Sequence, residues 1–307
     1  MGTSSSVAVG RLCSAEGIDE PVRAIVKRAE ALLDKVQGLG GLAELPVDIE
    51  LVASFAGVTS IRDVPGLPVI AKIGPGARPG ELVIERRAED SLARRRFSVG
   101  HEVGHTLFPD FWADPNACRP PSDDTLIGAP ADPVEGLCEV AGAHLLMPTR
   151  LIAPLLAGRS LSMSAVVELA NLAEASLAAS GRRLIDLATQ PSAFLSISPR
   201  HSKTQRRELD RLKLQPTLPG FARLEPPPPK FRIDHSYRSP AMVYLPQEKS
   251  LSEEPFLRAL ASGAVEEGID EVQLHGRTHR LRLSVLFAPM RVGDDVSDRF
   301  LAVASPA

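Results

Sequence analysis

Two histidines and a glutamate in the run His101-Glu102-Val103-Gly104-His105 carry the chemistry most legible in this chain. Residues four apart on an α-helix lie on one face, one turn above each other. Both imidazoles can therefore reach a single ion. Glu102, next to the first of them, can reach a water at the ion's open position and serve as general base. The chemistry implied is metal-assisted hydrolysis. A helix is predicted here: the stretch from Ser91 to Phe108 has no proline, and Phe97, Gly100, His101, Gly104, His105 and Phe108 recur at helical spacing. Gly100 and Gly104 lower helix propensity. Their missing side chains leave room for a strand, a substrate or simply a closely packed neighbour.

A hydrolytic zinc site needs a third protein ligand and an open fourth position. The next apolar segment, Pro133 to Met147, offers four polar groups. Glu135 and Glu139 are one turn apart on one face, so one can bind metal while the other accepts a hydrogen bond from a ligating imidazole. His144 lies nine residues beyond Glu135, on the opposite side of the helix, and reads as a packing or surface residue. Cys138, among aliphatic neighbours, reads first as a small buried hydrophobe.

Together these motifs resemble the ImmA/IrrE family of metallopeptidases. The resemblance rests on Arg96-Phe97-Ser98-Val99-Gly100-His101-Glu102-Val103-Gly104-His105, then Glu135-Gly136-Leu137-Cys138-Glu139, then Leu145-Leu146-Met147-Pro148, and covers about residues 20 to 190. It implies a zincin-like, gluzincin-type α+β fold. Matching from the Leu-Leu-Met-Pro end, it implies His101, His105 and Glu135 as ligands of Zn²⁺, with Mn²⁺ or Fe²⁺ also suited to a two-His, one-carboxylate set. Glu139 stands where the family has Asp or Asn, so a longer side chain must fit beside the ligands. In zinc peptidases of this type a strand ahead of the metal helix borders the cleft. Glu81 to Glu85 is the candidate, with Leu82, Val83 and Ile84 offering a free edge to an extended substrate; an ordinary core strand is the other reading.

The elements that must position these residues follow from pattern. Residues 1–18, small and polar, are expected to be disordered. Val22 to Val36 is an amphipathic helix stopped by Gly38-Leu39-Gly40, and Asp48 to Ala56 a short one. Short β-type runs at 59–73 and 81–86, broken by proline and glycine, read as a hairpin or small sheet. Residues 109–132 form a long connection holding Trp112, the sole tryptophan, which can line the cleft or cap the core.

Beyond Pro148, Ser164 to Ala173 and Leu177 to Leu187 fit a helix-turn-helix with Arg182 and Arg183 at its exposed end. Helical hairpins are also common in packed cores. Arg200 to Lys213 reads as a solvated linker helix, or else a phosphate-binding patch. Pro226 to Pro229 suggest a stiff spacer. Phe256 to Val265 reads as a helix, and Val272 to Phe287, with a turn at Gly276, as a hairpin with one buried face. In IrrE-like members of the family a GAF-like sensor domain follows, and the order here is similar on architecture alone. His235, His275 and His279 fit turn or surface positions better than a second metal site. The expected organisation is thus a disordered 1–18, a metallopeptidase domain at 19–158, a helical region at 159–225, a GAF-like α+β domain at 226–295 and a tail at 296–307.

Composition narrows the class. The chain has 307 residues, 44% of them hydrophobic, enough for two domains with real cores. A net charge of −3 gives no global argument for nucleic-acid binding, and three scattered cysteines build no disulfide framework. No apolar run approaches the ~18 residues of a membrane span, and residues 1–9 lack a secretory pattern. A soluble, cytoplasmic protein is expected. The family resemblance implies an endopeptidase whose substrate is a transcriptional repressor of the XRE, helix-turn-helix type, cleaved to induce stress or mobile-element genes. The alternative is a DNA- or protein-binding regulator whose metal site is structural or silent.

Overall fold

A computed structural model describes residues 2–38, 40, 42, 44–111, 132–213, 227–292 and 295–307, with backbone alone at 2–4, 212, 213, 292 and 295. Trp112 and most of the 109–132 connection lie outside these residues, as does Pro226. The chain is mixed α+β and divides into two compact units, one of residues 1–159 and 165–183, the other of 160–164 and 184–307.

In the N-terminal unit, α1 (Gly2–Glu16) replaces the disorder expected for residues 1–18. Its polar character hid one anchor, Leu12, which is fully buried. Ser5 and Arg11 add hydrogen bonds to Asp132 and Asp110. The next helix, α2 (Pro21–Gln37), has Glu20 as N-cap and buries Ile25, Ala29, Leu32, Leu33 and Val36 along one stripe. Asp48 caps α3 (Ile49–Phe55) in the same way.

Three strands follow: β1 (Val58–Val64), β2 (Ala71–Pro75) and β3 (Leu82–Arg87). They form a sheet of order β1-β3-β2, with β3 parallel to β1 and antiparallel to β2. This corrects one expectation. Leu82, Val83 and Ile84 lie on the central strand, hydrogen-bonded on both sides, so β3 has no free edge for a substrate; Ile84 is fully buried. The edge strand packed beside the metal-motif helix is β2.

That helix, α4 (Leu92–Thr106), starts at Ser91, whose hydroxyl accepts from the Arg94 N–H. The next, α5 (Pro133–Leu146), starts at Asp132, which accepts from the Val134 N–H. Both match the sequence expectation. After α6 (Thr149–Leu156) come α7 (Met163–Ala173) and α8 (Leu177–Leu187), the expected helical pair, of which 165–183 belongs to this unit.

The C-terminal unit is wider than the expected 226–295. It contains β4 (Ala193–Arg200), α9 (Lys203–Lys213), β5 (Lys230–Arg238), α10 (Glu254–Ser262), β6 (Glu266–Leu274), β7 (Arg277–Phe287), the small pair β8 (Met290–Val292) and β9 (Asp295–Ser297), and β10 (Phe300–Pro306). Five strands pair antiparallel in the order β5-β4-β10-β7-β6. Residues 296–307 are therefore no tail: β10 is the middle strand, with Ala302 opposite Leu195 on one side and Val285 on the other. The proline run precedes β5 within this unit and joins α9 to the sheet, so it is not a spacer between domains. The β6–β7 hairpin turns at His275-Gly276, both at positive φ, the backbone a two-residue hairpin turn requires. Phe231, Phe256 and Phe300 pack at the core, Phe231 stacked on Phe256 at 4.7 Å between ring centroids.

Candidate metal centre

The pairing of α4 with α5 is set by missing side chains. A Cβ on Gly104 would stand 3.0 Å from the Cα of Cys138, and one on Gly142 would stand 2.9 Å from the backbone N of His101. Small residues thus let two backbones touch along the stretch that carries both histidines. Of the readings open for Gly100 and Gly104, the neighbour they admit is α5.

This contact brings the expected residues together. The rings of His101 and His105 are 5.1 Å apart and steeply inclined. Nε2 of His101 lies 3.0 Å from Oε2 of Glu135, and Nε2 of His105 lies 3.8 Å from Oε1 of the same carboxylate. Ligands at ~2.1 Å from a tetrahedral ion stand about 3.4 Å apart, so these separations bracket what one ion needs. The His105 Nε2 is buried without a hydrogen-bond partner, a costly state for a polar atom unless a further group binds there. His101, Glu102 and His105 are all buried, with ligand-type atoms within 4.8 Å of one another. Among the described residues the group of ligand-type side chains that gathers this closely is His101, Glu102 and His105; His235, His275 and His279 are not part of it.

Burial also sets the electrostatics. Desolvation pushes Glu102 up to about 7; the Glu135 charge adds to this, while His101 and a hydrogen bond from the Ile73 N–H of β2 oppose it. Desolvation and the charge of His101 push His105 down to about 4. Burial works against charge on His101 too, but the Glu135 hydrogen bond and the charges of Glu102, Glu135 and Glu139 outweigh it and raise its pKa. The cluster therefore holds one carboxyl basic enough to take a proton near neutral pH, beside two buried imidazoles and the Glu135 carboxylate.

Glu139 differs from expectation. Among the described residues no imidazole donates to it; Arg182 of α8 lies 3.7 Å away instead. Burial raises its pKa, and Arg182 is the largest opposing influence. His144 is the packing residue expected: its Nδ1 lies 3.2 Å from an Arg183 Nη2 and 3.9 Å from Glu30. Arg183 itself is 1% exposed and donates to the Met147 carbonyl and the Thr149 hydroxyl. The two arginines expected at an exposed helix end thus turn inward onto α5 and the segment after it. Arg182 and the Ile73 backbone were missed by sequence reasoning. Both belong to elements distant in the chain, and neither carries a motif.

No family model matches the chain, and no curated protein matches it. A solved structure, a Mycobacterium tuberculosis transcriptional regulator, is similar in fold, with a TM-score of 0.53 at 11% identity over 100% of this chain and 82% of the other.

Proposed function

We propose that the protein is a zinc-dependent endopeptidase, of the kind its ImmA/IrrE resemblance implies, acting on a DNA-binding transcriptional repressor in the cytoplasm. The observation that carries the reading is the meeting of both imidazole Nε2 atoms with one Glu135 carboxylate, with Glu102 buried alongside. His101, His105 and Glu135 would hold the ion. When bound, it supplies Lewis-acid polarisation of the scissile carbonyl and lowers the pKa of water towards about 7. Glu102 takes the proton of the attacking water and passes it to the leaving amine. The free edge of β2, whose Ile73 N–H already holds Glu102, is the natural support for an extended substrate backbone. The C-terminal unit is proposed as a GAF-like regulatory or docking module. Among the described residues no helix is long and apolar enough to cross a membrane.

A second reading is a DNA- or protein-binding regulator with a silent or structural metal site. It draws on the printed name of the similar structure, a transcriptional regulator. Two observations weigh against it. Binding an ion does not require a buried carboxyl at Glu102, and the arginines of the α7–α8 pair are engaged inside their own unit. The deciding experiment incubates the metal-loaded protein with repressors encoded beside its gene and reads the products by mass spectrometry. Cleavage by the wild type that is absent from Glu102→Gln and Glu135→Ala supports the peptidase. No cleavage, with salt-dependent binding of Glu102→Gln to duplex DNA, supports the regulator.

A further inference from the structure

Two carboxylates on one face of α5 compete for a single ion, and helix geometry alone offers no reason for one to win. They are four residues, about 6 Å along the helix axis, apart. Yet only Glu135 meets the imidazoles. Glu139 faces Arg182, Nη1 to Oε2 at 3.7 Å, with the two side chains 23% and 13% exposed. The guanidinium comes from α8, whose next residue, Arg183, is clamped to the Met147 carbonyl and Thr149. The anchor of Arg182 is thus well fixed relative to α5.

We infer that Arg182 is a positioning residue that assigns the two glutamates: it keeps Glu139 as its own partner, so that Glu135 alone closes the metal site. The inference rests on the metal-site reading above and adds to it why the set is two histidines and one carboxylate, with a position left open. A mostly covered carboxylate that loses its cation must find another. The nearest strong one would be the ion one turn away. Without Arg182, Glu139 joins the ion and fills the position a substrate needs. The α7–α8 pair, which resembles a DNA reader in sequence, then serves the metal centre through its second helix.

Cobalt(II) loaded into the full chain reads this directly, since four-coordinate Co²⁺ absorbs visible light severalfold more strongly than five- or six-coordinate Co²⁺. Wild type and Glu139→Gln are expected to give the strong four-coordinate band. Arg182→Gln should show a severalfold loss of that band, and Arg182→Gln with Glu139→Gln should restore it. Restoration by removing the freed carboxylate is a result that a merely structural role for Arg182 does not give. Should Arg182→Gln fail to fold, Arg182→Lys, which keeps the charge on a different reach, takes its place. A partial loss reversed by Glu139→Gln is then expected. An unchanged band in the folded Arg182 variant, or a weak band that persists in the double variant, overturns the inference while the metal site stands. A wild type that takes up no Co²⁺, or uptake unaffected by His101→Ala, overturns the metal-site reading itself.

Discussion

The two units bury different things. Around α4 and α5 the interior holds His101, Glu102, His105, His144 and Arg183, groups that can carry charge and are costly to desolvate. The C-terminal sheet encloses an apolar core of Leu195, Ile197, Ile233, Phe256, Leu283, Val285 and Phe300; its buried ionisable side chain among the described residues is Asp270, which accepts from the N–H and hydroxyl of Ser252. Asp270 has a local structural duty. His105, by contrast, buries an Nε2 that has no hydrogen-bond partner and stands 3.8 Å from the Glu135 carboxylate. Unsatisfied, charge-capable groups kept where hydrophobes would stabilise more are what the proposed metal site requires, whereas the C-terminal unit packs as a core organised around its own stability.

The contrast breaks or sharpens under four tests. Glu102→Gln should keep fold and metal yet lose peptide cleavage by roughly 10²- to 10⁴-fold, the usual range for general-base catalysis; kcat/KM on a cleaved repressor peptide measures it, and retained activity would end the proposed mechanism. Phe256→Ala removes a ring that stacks on Phe231 and meets Phe300 edge to face. It should cost about 3–5 kcal/mol in denaturant unfolding of the C-terminal unit while metal stoichiometry stays unchanged. Loss of metal in that variant would mean the two units are not independent in the way their cores suggest.

The third test uses pH on protein stripped of metal. Held down to about 4, His105 binds fewer protons folded than unfolded, so its contribution to stability falls as pH drops from 6.5 towards 4. Held up to about 7, Glu102 binds more protons folded, so its contribution falls as pH rises from 4.5 to about 7. The two oppose each other across the shared window. Glu102→Gln removes one arm, and relative to the parent it should lose up to about 3 kcal/mol between pH 6.5 and 4 in urea titrations. A profile parallel to the parent's contradicts the burial argument. Last and smallest, Gly142→Ala forces a methyl against the His101 backbone. About 1–3 kcal/mol of overpacking is expected, together with weaker metal binding, because separating α4 from α5 carries Glu135 away from the imidazoles. Unfolding curves and metal titration on one sample separate the two effects.

Most helices were legible because their signals are local. The stripe of α2 and the spacing of His101 and His105 depend only on residues within a few turns. The hairpin at His275-Gly276 was legible for the same reason: alternation and turn chemistry lie side by side in the chain. The N-terminal helix was not, since its buried anchor Leu12 is invisible against a polar composition.

What the sequence determined by itself was two histidines and a glutamate placed on one helix, a second helix with two glutamates on one face, and a strand-rich C-terminal half. Tertiary structure decided the rest. It made β2 and not β3 an edge strand of its sheet, made β10 the centre of a sheet, turned Arg182 and Arg183 inward, and brought Glu135 and not Glu139 to the histidines. The physical reason is the same in each case. Periodicity tells which residues share a face, but which face meets which neighbour depends on contacts between segments far apart in sequence, and here on three glycines that let two backbones touch.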